Sequence, residues 1–169
     1  MTTQSPEPSV CDTLVYRIAG VSDLSAIQQC ERAYHPNPKS TMWWHRRLVI
    51  DDSSPNANSL VHIAEQFGNV MGYIVTTWAT EQAIRIDRMM IALPFRRSKV
   101  GTRLLIRAMV DSPPYVTKMI CMVPEEQLDL QLFLRACGFT ALVPLREHAF
   151  RHTESGIGIK FERKYDDGI

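Results

Sequence analysis

Seven basic side chains, Arg85, Arg88, Arg96, Arg97, Lys99, Arg103 and Arg107, stand between positions 85 and 107 with one acid, Asp87, among them. Seven minus one gives this stretch +6, while the whole chain carries +1, so everything else sums to −5. Positive charge held this locally suits a compact anion, and the low total argues against a protein built to coat nucleic acid. Within the stretch, "IALPFRRSKVGTRLL" runs from apolar residues through a basic loop into a helical pattern. A loop that opens a helix gathers unpaired backbone N–H groups and the positive end of the helix dipole at one place. Gly101 removes a side chain where an anion would touch backbone, and the Thr102 hydroxyl is a further donor. Arg96, Arg97 and Lys99 bring charge that phosphate oxygens use. Spacing alone leaves two readings open, a phosphate cradle and a solvated basic turn. A nucleotide-hydrolase P-loop is excluded because G-x-x-x-x-G-K-[ST] is missing, and a dinucleotide site because G-x-G-x-x-G is missing.

The elements that must hold this loop follow from patterning. Residues 13–20 alternate as a first strand, and "VSDLSAIQQCERAYH" has helical spacing, with Ser22 or Asp23 as the acceptor for its first turn and Pro36 and Pro38 as its stop. Residues 39–51 give a second, shorter helix with Trp43 and Trp44. Two β-rich runs over 60–79 flank "QFGN", where a glycine and an asparagine fit the left-handed positions of a tight turn. A strand over 83–93 leads to a helix over 99–111 that buries Leu104, Leu105, Ala108 and Met109. A strand over 115–123 leads to a helix over 125–139 stopped by Gly138. "TALVPL" and "GIGIKFERKY" supply two last strands. The order β-α-α-β-β-β-α-β-α-β-β predicts an α/β fold on a mixed sheet.

With 169 residues, 45% hydrophobic and 22% charged, the expectation is one globular domain over 13–169 behind a disordered tail over 1–12. No apolar run approaches the roughly 20 residues of a membrane helix, and the first residues lack the pattern of a secretory signal, so a cytoplasmic protein with no membrane partner is expected. Cys11, Cys30, Cys121 and Cys137 form no C-x-x-C and read as reduced thiols, at least two of them in the core. His148 and His152 stand four apart without a third ligand at metal spacing, so no metal is expected. A small RNA-binding domain would also use a basic cluster, but no aromatic stacking motif is interleaved with this one.

"IALPFRRSKVGTRLL" resembles the acyl-CoA-binding motif of the GNAT N-acetyltransferase superfamily, a strand ending V-x-P, then R/Q-x-x-G-x-G/A, then a helix with paired leucines. Arg96 takes the R/Q place, Val100 the usual Ile or Val, Gly101 the final Gly, and Leu104–Leu105 the leucine pair. Lys99 replaces the first glycine, and Pro94 stands one position late. "CMVPEEQLDLQLFLRACGF" resembles the family's later strand and helix, V-x-x-x-N-x-x-A-x-x-x-Y-x-x-x-G-F. Val123 and Gly138–Phe139 match, with Gln127, Leu130 and Leu134 at the Asn, Ala and Tyr places.

The resemblance implies a mostly antiparallel mixed sheet with one splayed parallel strand pair, flanked by helices. It implies an acetyl-CoA-dependent N-acetyltransferase whose partners are acyl-CoA, as cosubstrate, and a primary amine on a small molecule or peptide. A homodimer is an assembly it allows. Met89 and Ile91 would meet the pantetheine arm through backbone groups. Arg97, Ser98, Lys99, Val100, Gly101 and Thr102, with Arg96 beside them, would hold the pyrophosphate, and Gln127 would reach the CoA moiety. An amine of pKa near ~10 is almost wholly protonated at neutral pH, so a base assists. Asp87 is the first candidate for that base and Glu65 the reserve, with a local ion pair to Arg85 or Arg88 as the alternative role of Asp87. Leu134 leaves the family's tyrosine acid without a counterpart. A GNAT-like domain without catalysis, binding acyl-CoA or a protein partner, is the alternative reading. "YHPNPKSTMWWHRR" offers aromatic and basic residues for an anionic acceptor, or one core tryptophan beside solvated arginines.

Overall fold

The computed structural model describes residues 14–49, 58–145 and 157–165. Strand β1 (Val15–Ile18) is followed by a 3₁₀ turn (Val21–Asp23), helix α1 (Leu24–Tyr34) and helix α2 (Thr41–Leu48). Strands β2 (Ser59–Gln66), β3 (Asn69–Thr80) and β4 (Ala83–Ile91) form a meander that leads to helix α3 (Val100–Val110). Strand β5 (Lys118–Pro124), helix α4 (Leu128–Ala136), and strands β6 (Thr140–Leu145) and β7 (Gly158–Lys164) complete the described elements. The element order is the one patterning predicts. Among the described residues, seven strands run β1-β2-β3-β4-β5-β7-β6, a mixed and mostly antiparallel sheet whose one parallel pair is β4 with β5.

Two compact units divide the described residues. The first draws on the described residues up to Ile74 and on Met89–Arg107, the second on Val75–Arg88 and the described residues from Ala108 on. In the first unit the core is Ile27, Trp44, Leu48, Ile63, Tyr73, Ile74, Val100, Leu104 and Leu105, all nearly or fully buried. Ser40 starts α2 by accepting the Trp43 N–H at 3.2 Å, which satisfies one orphan amide of the first turn. Asp23 does not cap α1 as expected. Its carboxylate turns back to the Gly20 N–H at 2.8 Å and to the Arg17 guanidinium. Arg17 also pairs with Glu65 across β1 and β2, whose register sets Val15 opposite Glu65.

The hairpin between β2 and β3 is where the structure departs from the expected turn. Phe67 (φ 52°) and Gly68 (φ 79°) take the left-handed positions, and Asn69 already begins β3. A two-residue turn of this kind needs φ > 0 at both central positions to follow the strand twist. Phe67 therefore accepts the conformation and projects into solvent.

In the second unit, Ala83 to Ile86 of β4 pair in parallel with Lys118 to Cys121 of β5. β4 continues five residues beyond the last registered pair, through Ile91. β5 pairs along its whole length with β7. Gly138 stands at φ 83° after α4, as its place in the sequence predicts, and the Arg163 guanidinium donates to the Cys137 carbonyl at 2.8 Å beside it. Cys30, Cys121 and Cys137 are buried and form no disulfide among the described residues. His148 and His152 lie outside the described residues, and no group of three metal-binding side chains occurs among those described. No described helix is long and apolar enough to cross a membrane.

Candidate acyl-CoA loop

The basic loop is pinned at two apolar points. Ala92 donates to the Met71 carbonyl at 2.8 Å, and Phe95 donates to Ala92 at 2.9 Å to close a 3₁₀ turn (Leu93–Phe95). Phe95 and Val100 are buried on either side, so the chain between them must span the gap with its polar residues outward. Arg96, Arg97 and Lys99 are exposed and Ser98 half-buried. Arg97 and Lys99 both adopt φ 62°. The left-handed region costs a non-glycine residue about 1–2 kcal/mol, so two such residues in three positions mark a loop held by its surroundings.

That geometry aims the backbone at a common point. The Lys99 carbonyl accepts the Arg103 N–H at 2.9 Å, which makes Lys99 the residue that starts the α3 hydrogen-bond ladder. Arg103 is thus the first amide to reach a carbonyl one turn back. The Val100 and Gly101 amides, one turn earlier, point out of the helix start with the positive end of its dipole. A left-handed residue followed by right-handed helix lets successive N–H groups converge into a concave anion-binding nest. Lys99 followed by Val100 is such a pair. The side chains of Arg97 and Lys99 make no hydrogen bond or ion pair among the described residues. Arg96 differs: its Nε donates to the Ile91 carbonyl at 3.1 Å, tying the loop to the end of β4.

Gly72 of β3 seats that strand end. A Cβ there would lie 2.8 Å from Ile91 Cδ1, 3.0 Å from the Met90 carbonyl oxygen and 3.4 Å from Leu104 Cδ1. Only hydrogen lets β3, the end of β4 and α3 approach this closely. Successive strand residues face opposite ways. Gly72 therefore faces α3, and Tyr73 faces α2, where its ring meets Trp44 edge-on at 4.9 Å. α2 and α3 stand on opposite faces of the sheet.

The structure thus brings Met89, Ile91, Arg96, Arg97, Ser98, Lys99, Val100, Gly101 and Thr102 into one unit, and places Asp87 and Gln127 in the other. Gln127 precedes α4, is exposed, and its side chain makes no capping bond. Gln131, which sequence reasoning passed over, is the amide that holds this corner, donating to Glu125 O at 2.8 Å and Pro124 O at 3.2 Å. Asp87 Oδ1 accepts the Arg85 Nε at 2.7 Å, so the ion-pair role foreseen for it is present. Burial, then the Asp87 charge, pushes the neighbouring Cys121 thiol up to about 12. Glu65 is engaged by Arg17. The Arg17 hydrogen bond, opposed by burial, holds the Asp23 carboxyl below the usual carboxylate range. Leu134 is fully buried and supplies no proton.

Sequence reasoning also missed Glu31. It is fully buried, and its carboxylate accepts from Trp44 Nε1 at 2.5 Å, from the Lys39 backbone N–H at 3.0 Å and from Tyr73 OH at 3.2 Å. A glutamate inside a helix with apolar neighbours at i−4 and an aromatic at i+3 carries no signal that it faces inward.

The chain has the fold of the GNAT acetyltransferases. A GNAT-family protein from Desulfovibrio desulfuricans superposes with a TM-score of 0.73 at 13% identity, over 89% of this chain and 98% of that one. Arabidopsis thaliana NAA60 in complex with acetyl-CoA gives a TM-score of 0.72 at 12% identity, over 91% and 99%. Arabidopsis thaliana Naa50 in complex with the bisubstrate analogue CoA-Ac-MVNAL gives 0.69 at 12% identity, over 90% and 99%. No protein-family model and no curated protein matches the sequence.

Proposed function

We propose that this chain is an acetyl-CoA-dependent N-acetyltransferase that acylates a primary amine. The observation that carries the proposal is the left-handed pair Arg97 and Lys99 opening α3, in a fold shared with proteins crystallised with acetyl-CoA and with a CoA–peptide analogue. The donor set fits a pyrophosphate: outward amides at Val100 and Gly101, the helix dipole, and two cations without competing partners among the described residues. Met89 and Ile91 offer strand-end backbone to an extended pantetheine arm, and Gln127 and Thr102 offer polar groups to the CoA moiety.

Acetyl-CoA supplies an activated thioester with an electrophilic acyl carbon. This chain's part is to orient that group and to take the amine's proton, a role we give to Asp87. For Asp87 to act, its carboxylate must bond the amine or a bridging water beside the Arg85 bond that Oδ1 accepts. Asp87→Asn tests this step. A base contributes typically 10²–10⁴-fold, so the rate of CoA release should fall by more than about tenfold. A fall of less than about threefold across the pH range would remove Asp87 from the role.

The second reading is a domain that binds acyl-CoA, or a protein partner, without turnover. The buried Leu134 and the Arg85–Asp87 pair favour it. CoA release over a panel of amines separates the two, because the binding domain shows saturable acetyl-CoA binding and no release.

A further inference from the structure

One sheet face of the second unit carries a lysine that no described neighbour neutralises. Arg163 donates to the Cys137 carbonyl at the end of α4, so alternation turns Lys160, Glu162 and Lys164 of β7 away from that helix. Register carries this face across the sheet: Lys160 pairs with Met122, Glu162 with Ile120, and Ile120 with Arg85. Asp87, two residues on from Arg85 and bonded to it, shares the face. All of these residues belong to one unit.

The charged side chains of β4, β5 and β7 on this face are Arg85, Lys118, Lys160 and Lys164 against Asp87 and Glu162. Two pairs form within it, Arg85 with Asp87 at 2.7 Å and Lys118 with Glu162 at 3.2 Å. Lys160 and Lys164 are left over, and they are not equivalent. Lys164 is exposed and stands in register with Lys118, at the other end of β7. Lys160 is half-buried, next to the half-buried Met122. It makes no hydrogen bond or ion pair among the described residues, Glu125 and Glu126 just past β5 included. Holding a cation part-way out of water without a counter-ion is unfavourable, and a bound anion offsets that cost.

We propose that Lys160 binds a carboxylate carried by the acceptor, so that the substrate is an amino acid with a short chain between amine and carboxylate. This rests on the acyltransferase reading above, with Asp87 taking the amine's proton, and it names the substrate class. β4 and β7 both neighbour β5, so Asp87 and Lys160 stand two strand spacings, about 10 Å, apart. The four-carbon stem of the lysine bridges much of that distance and leaves a gap of a few carbons. Ile120 and Met122, half-buried between the two, offer those methylenes an apolar floor. Arg85 is already committed to Asp87.

The test follows CoA release by the full chain at saturating acetyl-CoA, with ω-amino acids from β-alanine to 6-aminohexanoate, each compared with its carboxamide. The carboxylates should be preferred at least about tenfold in kcat/KM, mostly through KM, the scale of one charge-assisted hydrogen bond. Lys160→Gln should bring that ratio near one, and Lys160→Arg and Lys164→Gln should keep it. Asp87→Asn should lower kcat for both series and leave the ratio in place. Equal kcat/KM for carboxylates and carboxamides would overturn the proposal. So would a preference that survives Lys160→Gln, which would assign the anion to Arg85. If no amine releases CoA, calorimetric binding of the two series to the chain with saturating CoA decides. Carboxylate-selective binding lost in Lys160→Gln would keep this site and count against turnover, whereas unselective binding, or none, would overturn it.

Discussion

The Lys99 carbonyl accepts the Arg103 amide at 2.9 Å while Lys99 itself sits at φ 62°. A residue in a conformation that suits glycine therefore begins the helix. Glycine at this position would keep the backbone arrangement and remove the steric cost.

Lys99→Gly should accordingly raise stability. Relief of the left-handed strain, about 1–2 kcal/mol, is offset in part by the greater freedom of glycine in the unfolded chain. The net gain expected in urea unfolding is about 0.5–1 kcal/mol. A lower midpoint would show that the lysine side chain stabilises the loop by more than its backbone costs.

Gly72→Ala should do harm at a distance. The new methyl meets the Met90 carbonyl oxygen, a backbone atom that cannot swing aside, as well as Ile91 and Leu104. A loss of about 1–3 kcal/mol is expected from overpacking. Acetyl-CoA affinity should drop with it, because Ile91 and Leu104 fix the strand end and the helix that carry the loop. Thermal unfolding with and without acetyl-CoA checks both.

Glu31→Ala leaves the Trp44 indole N–H and the Lys39 amide without their buried acceptor and opens a cavity beneath Trp44. A loss of about 3 kcal/mol is expected. Glu31→Gln keeps the volume and one acceptor oxygen, so denaturant unfolding should show a smaller loss. Equal losses would mean that charge, not packing, dominates at this position.

The acid limb of stability should contain Asp23. Its folded carboxyl is depressed first by the Arg17 hydrogen bond, so its contribution is fully present above the ordinary carboxylate value and is lost as pH falls through the folded value. Arg17 is partly exposed, which limits the effect to about 1 kcal/mol. Asp23→Asn should destabilise by that amount at neutral pH and by nearly nothing at the acid end. Parallel pH–stability curves for wild type and variant would refute the assignment.

Most of the fold was legible in the sequence because its elements bury patterned faces and a proline or glycine follows α1, α3 and α4. Leu104, Leu105, Ala108 and Met109 are buried as their spacing implied, and Gly138 takes the left-handed stop. Turn chemistry misled at Phe67, where strand twist imposed φ > 0 on an aromatic and left Asn69 in the strand. The candidate loop was legible as a motif, but its strain was not, since lysine and arginine give no local sign of left-handed backbone. Long-range polar contacts were the least visible. The Glu31–Tyr73 bond spans 42 positions and the Arg17–Glu65 pair 48, and nothing in either neighbourhood encodes the partner. The Arg85–Asp87 pair was legible, because residues two apart on a strand share a face.

Calorimetric titration of acetyl-CoA into the wild-type chain and into Lys99→Gly decides whether the loop backbone seats the pyrophosphate. Saturable one-site binding to the wild type is expected, with equal or tighter binding to Lys99→Gly and weaker binding to Arg97→Glu. Absence of binding to the wild type, or wild-type binding unchanged by Arg97→Glu and lost in Lys99→Gly, would contradict a loop whose backbone seats the pyrophosphate.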